Sequence, residues 1–346
     1  MDAFATALLD WYDRHGRKDL PWQRERTPYR VWLSEIMLQQ TRVRTAIPYF
    51  ERFVAALPDL AALAASDEDR VLSLWSGLGY YSRARNLLRT ARRCMDEHGG
   101  ALPRDADALA ALPGIGRSTA AAILAQAHGE RHAILDGNVK RVLARWHGVH
   151  GWPGTTAVQR TLWAHAEAHT PATRVPDYTQ AIMDLGATVC TRARPRCDAC
   201  PVAAACVARR DGLATALPQP RPARAVPTRA TTMLVVRDAH GRVLLERRPP
   251  TGVWARLWSL PETGDAELAA HALLQRHGVR AGAARALPSF VHVFSHYRLD
   301  VTPLLFAPAE AAGVAEGGDV RWQPRDQLDA LGLPAPVRTL LMQLED

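Results

Sequence analysis

The chain has 346 residues, about the length of two domains. Its 47% hydrophobic and 23% charged residues are ordinary for a folded protein and exclude wholesale disorder. No apolar run has the length of a membrane span, and no basic segment followed by an apolar one opens the chain, so we expect a cytoplasmic protein. The net charge of +8, most of it in residues 1–212, favours anionic partners, nucleic acid first.

The first part of the chain has helical periodicity nearly throughout, from Phe4 to about Ala208. Breaks between the periodic segments are marked by proline and glycine, and no convincing strand interrupts them. We therefore predict an all-α domain over residues 1–212. The clearest segments are Phe4–Trp11, Trp32–Gln40, Val71–Trp75 and Thr119–Gln126.

The pattern changes after residue 212. Residues 213–228 are rich in proline and predict a partly extended linker. Beyond it, residues 229–346 predict an α+β domain. Its expected elements are a hairpin of strands Thr231–Val236 and Val243–Glu246 around Asp238–Gly241, a helix near Ala266–His277, strands near Val291–Phe294 and Tyr297–Leu304, and a helical tail at Arg325–Leu344.

A helix–hairpin–helix is expected at about residues 105–127. Asp105 is placed to cap a short helix, and Gly114 and Gly116 allow a tight turn before a second helix that includes Ser118. The N–H groups at the start of that helix suit a backbone phosphate. An ordinary helical turn is the alternative, because Pro-Gly-x-Gly alone is a weak signal.

Four of the five cysteines lie within 17 residues, spaced Cys190-x6-Cys197-x2-Cys200-x5-Cys206. Such clustering in a protein without an export signal indicates a metal centre. A structural zinc usually takes two close pairs, whereas a [4Fe–4S] cluster accepts uneven spacing such as this. Four buried free cysteines are the third reading. Arginines around the cysteines suit a loop that faces phosphates.

Glu35 and Asp136 are candidate catalytic carboxylates. Glu35 lies on a mostly apolar helix, where burial would raise its pKa and make it a general acid near neutral pH. Asp136 stands where a helix begins, and we expect that position to keep its pKa low. One raised and one lowered carboxylate is the pair that glycosidic hydrolysis uses. A solvent-facing glutamate and an ordinary N-cap aspartate are the alternatives, and periodicity does not bring the two together.

Several motifs of the chain together resemble those of a known protein family. The chain resembles adenine DNA glycosylases of the MutY type from its first helix into its second domain. The residues that carry the resemblance are Trp11–Asp13, Leu20–Trp22, Trp32–Thr41, Gly77–Tyr81, Leu135–Val139, the cysteine cluster and Phe294–His296.

The resemblance implies an all-α helix–hairpin–helix DNA glycosylase domain with a [4Fe–4S] cluster in the loop 190–206, followed by a Nudix (MutT)-like domain. It implies a monomer that removes adenine mispaired with 8-oxoguanine or guanine in double-stranded DNA, by flipping the adenine out of the duplex.

The resemblance also assigns roles to individual residues. Glu35 matches the acid that protonates adenine, and Asp136 matches the carboxylate that stabilises the oxocarbenium ion. Gln180 matches a residue that hydrogen-bonds the adenine edge. The remaining matches are Gln40 and Tyr80, which wedge into the base stack, and Ser295 and His296, in the loop that contacts the lesion.

Two departures from related patterns limit the expected chemistry. Endonuclease III-type enzymes carry a catalytic lysine at the position of Ser118. Because a serine hydroxyl cannot form the Schiff base that this lysine forms, strand cleavage should be absent or weak. Lys18 matches a different lysine, one that traps the abasic product slowly. The expected Nudix helix lacks its glutamates, since Leu273–Gly278 has no carboxylate, so the second domain should bind lesion DNA without hydrolysing nucleotides.

Two other functions remain at this stage. A glycosylase for thymine or uracil opposite guanine would share the first domain, but Glu35, Gln180 and the second domain argue against it. A non-catalytic DNA-binding protein would keep the cluster for structure alone. Turnover that survives Glu35→Gln would favour this last class.

Overall fold

The computed structural model describes residues 1–223, 225–307 and 318–344. The chain divides into two compact units, each made of two segments. The first is Met1–Ala65 with Asn86–Ala223, and the second is Ser66–Arg85 with Arg224–Asp346. Residues 308–317 and 345–346, inside the expected second domain, lie outside the described residues.

The first unit is helical throughout its described part, as the periodicity predicts. One apolar cluster packs three of its helices together through buried side chains such as Leu8, Val142 and Ile182. The helices are α1 (Ala3–His15), α2 (Pro21–Arg24), α3 (Pro28–Leu38), α4 (Val43–Ala56), α5 (Leu60–Ala65), α7 (Ser82–Glu97, whose first residues belong to the second unit), α8 (Ala106–Ala110), α9 (Arg117–His128), α10 (Gly137–His147), α11 (Thr156–His169), α12 (Val175–Asp184) and α13 (Val207–Arg210), with a π-helical turn at Leu185–Val189.

The segment Ser66–Arg85, which contains α6 (Glu68–Trp75), packs within the second unit. The Tyr81 hydroxyl donates to the Leu333 carbonyl over 2.9 Å, and Arg247 forms a 2.5 Å ion pair with Asp69. The local sequence pattern does not show that this segment packs within the second unit, because the segment is helical like its neighbours and its partners lie far along the chain.

The second unit contains two sheets. A five-stranded sheet has the order β4-β1-β7-β5, with β6 also on β7, and a three-stranded sheet has the order β3-β2-β8. The strands are β1 (Thr228–Val235), β2 (Val243–Arg247), β3 (Trp258–Ser259), β4 (Glu262–Thr263), β5 (Ala284–Ala286), β6 (Phe290–Val293), β7 (Arg298–Phe306) and β8 (Val320–Gln323); the helices are α14 (Ala269–His277) and α15 (Ala335–Met342).

Strand β1 carries apolar residues on both faces because each face meets a separate core. Met233 and Val235 join one apolar cluster, whereas Leu234 joins another with Leu273 of α14. Successive side chains of a strand point to opposite faces, so a continuous apolar run is what a doubly covered strand requires.

The predicted hairpin of β1 and β2 is wrong as a pairing. The turn itself forms, since the Asp238 carboxylate accepts from the His240 and Arg242 N–H groups over 2.9 Å each. Among the described residues its two arms meet in one short bridge, Arg237–Val243, and β1 and β2 belong to different sheets. Strand β1 instead pairs in parallel with the distant β7. The long-range pairing of β1 with β7 therefore forms in place of the β1–β2 pairing that the local turn favours.

The predicted helical tail is also interrupted. A 3₁₀ segment at Arg325–Ala330 ends before α15 begins at Ala335, and Pro334 stands between them. The residue before a proline is disfavoured in the helical region, which explains the break. None of the described helices is long and apolar enough to cross a membrane.

Candidate active site

A pocket of about 810 Å³ lies in the first unit and brings together Glu35, Asp136, Gln180 and Ser118. The residues come from α3, the start of α9, the start of α10 and α12, four elements that are separated in sequence. Gln39 and Thr41, the neighbours of Gln40, also line the pocket. The pocket thus joins residues that periodicity alone could not place together.

Glu35 lies near the end of α3, and its side chain faces the pocket. Burial and the nearby charge of Asp136 raise its pKa to about 7, and one amide donor, Gln126 Nε2 at 3.1 Å, partly opposes that rise. The expected raised pKa is confirmed. A carboxyl group with this pKa holds a proton that it can donate at neutral pH.

Asp136 is the N-cap of α10. One carboxylate oxygen accepts from the Val139 N–H over 2.8 Å, and the other accepts from Asn138 Nδ2 over 3.1 Å. The expected low pKa is wrong, because burial raises the pKa of Asp136 even against these hydrogen bonds and the charge of Arg141. With two donors and a nearby cation, Asp136 is still the better stabilised anion of the pair.

Gln180 is buried on α12, and its amide orientation is fixed by Asp184. Gln180 Nε2 donates to Asp184 Oδ1 over 2.7 Å, and Arg17 forms a 2.6 Å ion pair with the same carboxylate. Since a carboxylate only accepts, the amide nitrogen of Gln180 must face Asp184, and its carbonyl oxygen is directed away from that carboxylate. No role for Asp184 was predicted from the sequence; its position four residues after Gln180, on the same helix face, was the available signal.

The hairpin between α8 and α9 forms as expected. Asp105 caps α8 by accepting from Ala108 N over 2.8 Å, and Gly114 has a φ of +79°. A Cβ at Gly114 would lie 2.8 Å from Asn86 Nδ2. Gly116 is the N-cap of α9, and Ser118 Oγ accepts from Leu135 N over 2.9 Å. The first turn of α9 therefore offers N–H groups suited to an anion.

The four clustered cysteines line one cavity of about 30 Å³. A single water needs about 10–15 Å³, so the cavity is larger than one water. Within the described residues, no three ligand side chains are close enough to hold one metal ion. Four cysteine thiols around one cavity are a donor set that an iron–sulfur cluster takes.

Two arginines of α10 connect this loop to the rest of the unit. Arg145 is buried, and its Nη1 lies 3.3 Å from Cys190 Sγ. Arg141 Nε donates to the Cys190 carbonyl over 2.7 Å, and its Nη2 donates to Asn138 Oδ1 over 2.8 Å. Asn138 in turn donates to Asp136, so a chain of hydrogen bonds runs from the cysteine loop to the pocket.

A second cavity, of about 370 Å³, lies within the second unit and is lined by Tyr80, Ser295 and His296. Tyr80 is 49% exposed and has a φ of +48°. Ser295 and His296 occupy the turn between β6 and β7, which closes through the hydrogen bond from Phe294 N to the Tyr297 carbonyl. The structure thus brings the predicted wedge tyrosine and the predicted lesion loop to one cavity.

Both units match known protein families. The model of the HhH-GPD superfamily of base excision DNA repair proteins matches residues 33–168, and a NUDIX domain matches residues 232–343. A solved thermostable thymine-DNA glycosylase aligns with 60% of this chain and 95% of its own at a TM-score of 0.55 and 27% identity. Endonuclease III in a non-covalent DNA complex shares the fold, with a TM-score of 0.52 at 19% identity over 61% of this chain and 95% of that one. The fold and pocket therefore define a helix–hairpin–helix DNA glycosylase followed by a Nudix domain.

Relatives that align with nearly the whole chain show which family of DNA glycosylases it belongs to. An adenine DNA glycosylase from Buchnera aphidicola (subsp. Acyrthosiphon pisum) is 35% identical over 339 residues, covering 98% of this chain and 96% of that protein. The adenine DNA glycosylase of Homo sapiens is 38% identical, covering 86% of this chain and 65% of the human protein. The chain belongs to the adenine DNA glycosylase family and is an adenine-specific DNA N-glycosylase of base excision repair.

Proposed function

We propose that the protein, as a monomer, removes adenine from mispairs with 8-oxoguanine or guanine in duplex DNA. The observation that carries the proposal is the pairing of Glu35 and Asp136 in one pocket, with the pKa of Glu35 raised to about 7. Glycosidic hydrolysis uses one protonated and one ionised carboxyl group near the scissile bond. The raised pKa suits Glu35 to the protonated role, and the hydrogen bonds and the nearby Arg141 charge suit Asp136 to the ionised role.

In this proposal, an adenine flipped from the duplex occupies the pocket. Glu35 donates its proton to N7 of the base, so adenine leaves as a neutral group. Asp136 stabilises the positive charge that develops on the sugar, and water completes the hydrolysis. The carbonyl oxygen of Gln180, oriented by Asp184, accepts from the exocyclic amine of adenine.

DNA engagement is assigned to three separate features. The hairpin at Gly114, Gly116 and Ser118 anchors a backbone phosphate without reading sequence. Gln40 and Tyr80, both with positive φ, wedge into the stack near the 8-oxoguanine. Ser295 and His296 contact the opposite base, which gives the preference for 8-oxoguanine.

We propose that a [4Fe–4S] cluster is held by Cys190, Cys197, Cys200 and Cys206. The cluster would supply four iron–thiolate bonds that fix the loop. Arg145, beside Cys190 Sγ, would hydrogen-bond the coordinating thiolate and offset its negative charge. Iron content and visible absorption of the isolated protein test this assignment, and zinc as the bound metal would overturn it.

Strand cleavage is expected to be absent or weak, because Ser118 has no amine for a Schiff base. The second unit is expected to bind DNA without hydrolysing nucleotides. Its helix α14, Ala269–His277, contains no carboxylate for magnesium.

Duplexes with adenine opposite 8-oxoguanine, guanine or thymine test the proposal, with released base and strand scission scored separately. We expect fast adenine release opposite 8-oxoguanine, slower release opposite guanine, little opposite thymine and little scission. A duplex with thymine opposite guanine serves as the control for the related thymine glycosylase activity. Equal adenine release opposite all three bases, or preferential thymine release, would contradict the proposal.

A further inference from the structure

The turn that presents Ser295 and His296 is exposed, but its base is a group of packed aromatic rings. The Phe294 ring lies 5.2 Å from the Trp254 ring at 62° and 4.5 Å from the His292 ring at 74°. Trp254 also lies 5.4 Å from His292. Edge-to-face contacts at these distances fix ring orientation as well as burying area. The position of the turn thus depends on the loop that carries Trp254.

That loop, residues 252–257, is held in a strained backbone conformation. Trp254 has a φ of +55° and Arg256 a φ of +65°, values that bulky L residues rarely adopt. Arg248 fastens the loop through a 3.1 Å hydrogen bond from Nε to the Val253 carbonyl, and its guanidinium lies 5.8 Å from the Trp254 ring. Glu262 in turn accepts from Arg248 over 2.5 Å. Strain of this kind persists only where the surroundings over-determine it.

The strained loop and the turn line the same cavity as Tyr80. We propose that Trp254 is a positioning residue for recognition of the base opposite adenine. Its indole, held by the strained loop, supports Phe294 and thereby fixes the Ser295–His296 turn. This inference rests on the proposed role of that turn in contacting the opposite base.

The test compares single-turnover adenine release from 8-oxoguanine:adenine and guanine:adenine duplexes for four variants of the full-length protein. Trp254→Gly removes the indole but suits the positive φ at residue 254, so the backbone there should fold without strain. Trp254→Phe keeps an aromatic ring, and Arg256→Gly relaxes the neighbouring strained position while leaving the rings in place. Ser295→Ala tests the turn itself. Thermal unfolding of each variant checks that the second unit is folded.

We expect Trp254→Gly to lower the preference for 8-oxoguanine over guanine by about tenfold, since two aromatic contacts are lost. The rate on guanine:adenine should change by less than about twofold, and Trp254→Phe and Arg256→Gly should keep the preference within about twofold of the parent. An unchanged preference in Trp254→Gly, with a lowered one in Ser295→Ala, would overturn the role of Trp254 alone. An unchanged preference in both would refute the proposed role of the turn, and the inference with it. A lowered preference in Arg256→Gly equal to that in Trp254→Gly would assign the effect to loop strain and overturn the role of the indole.

Discussion

The two pocket carboxylates differ in their local donors, and this difference sets their proposed roles. Glu35 receives one amide hydrogen bond, whereas Asp136 receives a backbone and a side-chain hydrogen bond and lies near the charge of Arg141. Burial raises the pKa of both groups. The charge of Asp136 raises the pKa of Glu35 further, which favours the protonated form of Glu35.

A pH profile of the single-turnover rate follows from the pKa of Glu35, about 7. Glu35 must be protonated and Asp136 ionised, so the rate should reach a plateau below about pH 7 and fall again at lower pH, where Asp136 takes up a proton. Above about pH 7 the rate should fall tenfold for each pH unit, because Glu35 loses its proton. A rate that rises through this range would mean that the essential group acts as a base, which contradicts the assignment.

At the scale of elements, α10 links the pocket to the cysteine loop. Arg141 hydrogen-bonds both the Cys190 carbonyl and Asn138, and Asn138 hydrogen-bonds Asp136. The N-cap carboxylate is therefore oriented by a side chain one turn further along the same helix. Its position depends on the loop as well as on the helix start.

We expect Arg141→Gln to lower the rate of adenine release about tenfold or more, because Asn138 loses the donor that orients it. Lys140→Gln removes the same charge from the neighbouring helix position and is the matched control. The measurement is the single-turnover rate together with thermal unfolding. Equal losses in both variants would show that charge, and not orientation, is what Arg141 provides.

The hairpin between α8 and α9 leads to a second prediction. Gly114→Ala should weaken DNA binding about tenfold, since a Cβ there would lie 2.8 Å from Asn86 and the φ of +79° disfavours alanine. Gly129→Ala is the control, because Gly129 ends the same helix α9 with a φ of +70° but has nothing within 4 Å of an added Cβ. Fluorescence anisotropy with undamaged duplex measures both. Equal binding by the two variants would remove the hairpin from the DNA interface.

What the sequence could predict was local. The hydrophobic periodicity and the proline and glycine breaks predicted the helices of the first unit. The cap at Asp105 and the direction of the pKa shift at Glu35 followed from neighbouring residues. Long-range packing was not visible: the parallel pairing of β1 with β7 replaced the expected hairpin, and burial reversed the pKa direction expected at Asp136. The contact of Trp254 with Phe294 joins residues 40 positions apart and has no local signal.

At the scale of the whole molecule, the net charge of +8 includes an excess of arginine on the first part of the chain. Each phosphate that a lysine or arginine neutralises releases counterions, so affinity should fall with salt. If about six to ten phosphates are contacted, affinity should drop by about 10³- to 10⁵-fold between about 50 and 200 mM salt.

Anisotropy titrations at several salt concentrations measure this slope. Ser295→Ala should leave the slope unchanged, because the proposed contact of Ser295 is with a base and not with a phosphate. A slope near zero would contradict an electrostatic DNA interface. A slope that changes in Ser295→Ala would place that residue on the backbone.

The segment Ser66–Arg85 also matters at this scale, because it packs within the second unit. Deleting residues from 213 onward would therefore remove the partners of Tyr81 and Asp69 along with the C-terminal sheets. Single substitutions in the full chain separate the roles of the two units more cleanly than truncation does.

Proton donation from Glu35 to the adenine is the step on which the other proposed roles in the pocket depend. The single-turnover rate of Glu35→Gln on an 8-oxoguanine:adenine duplex measures that step. Glu51→Gln, the same change on the exposed side of α4, is the control. We predict a rate lower by about 10²- to 10⁴-fold for Glu35→Gln, with duplex affinity and the control rate within about twofold of the parent. A Glu35→Gln rate equal to that of the control would mean that Glu35 is not the proton donor.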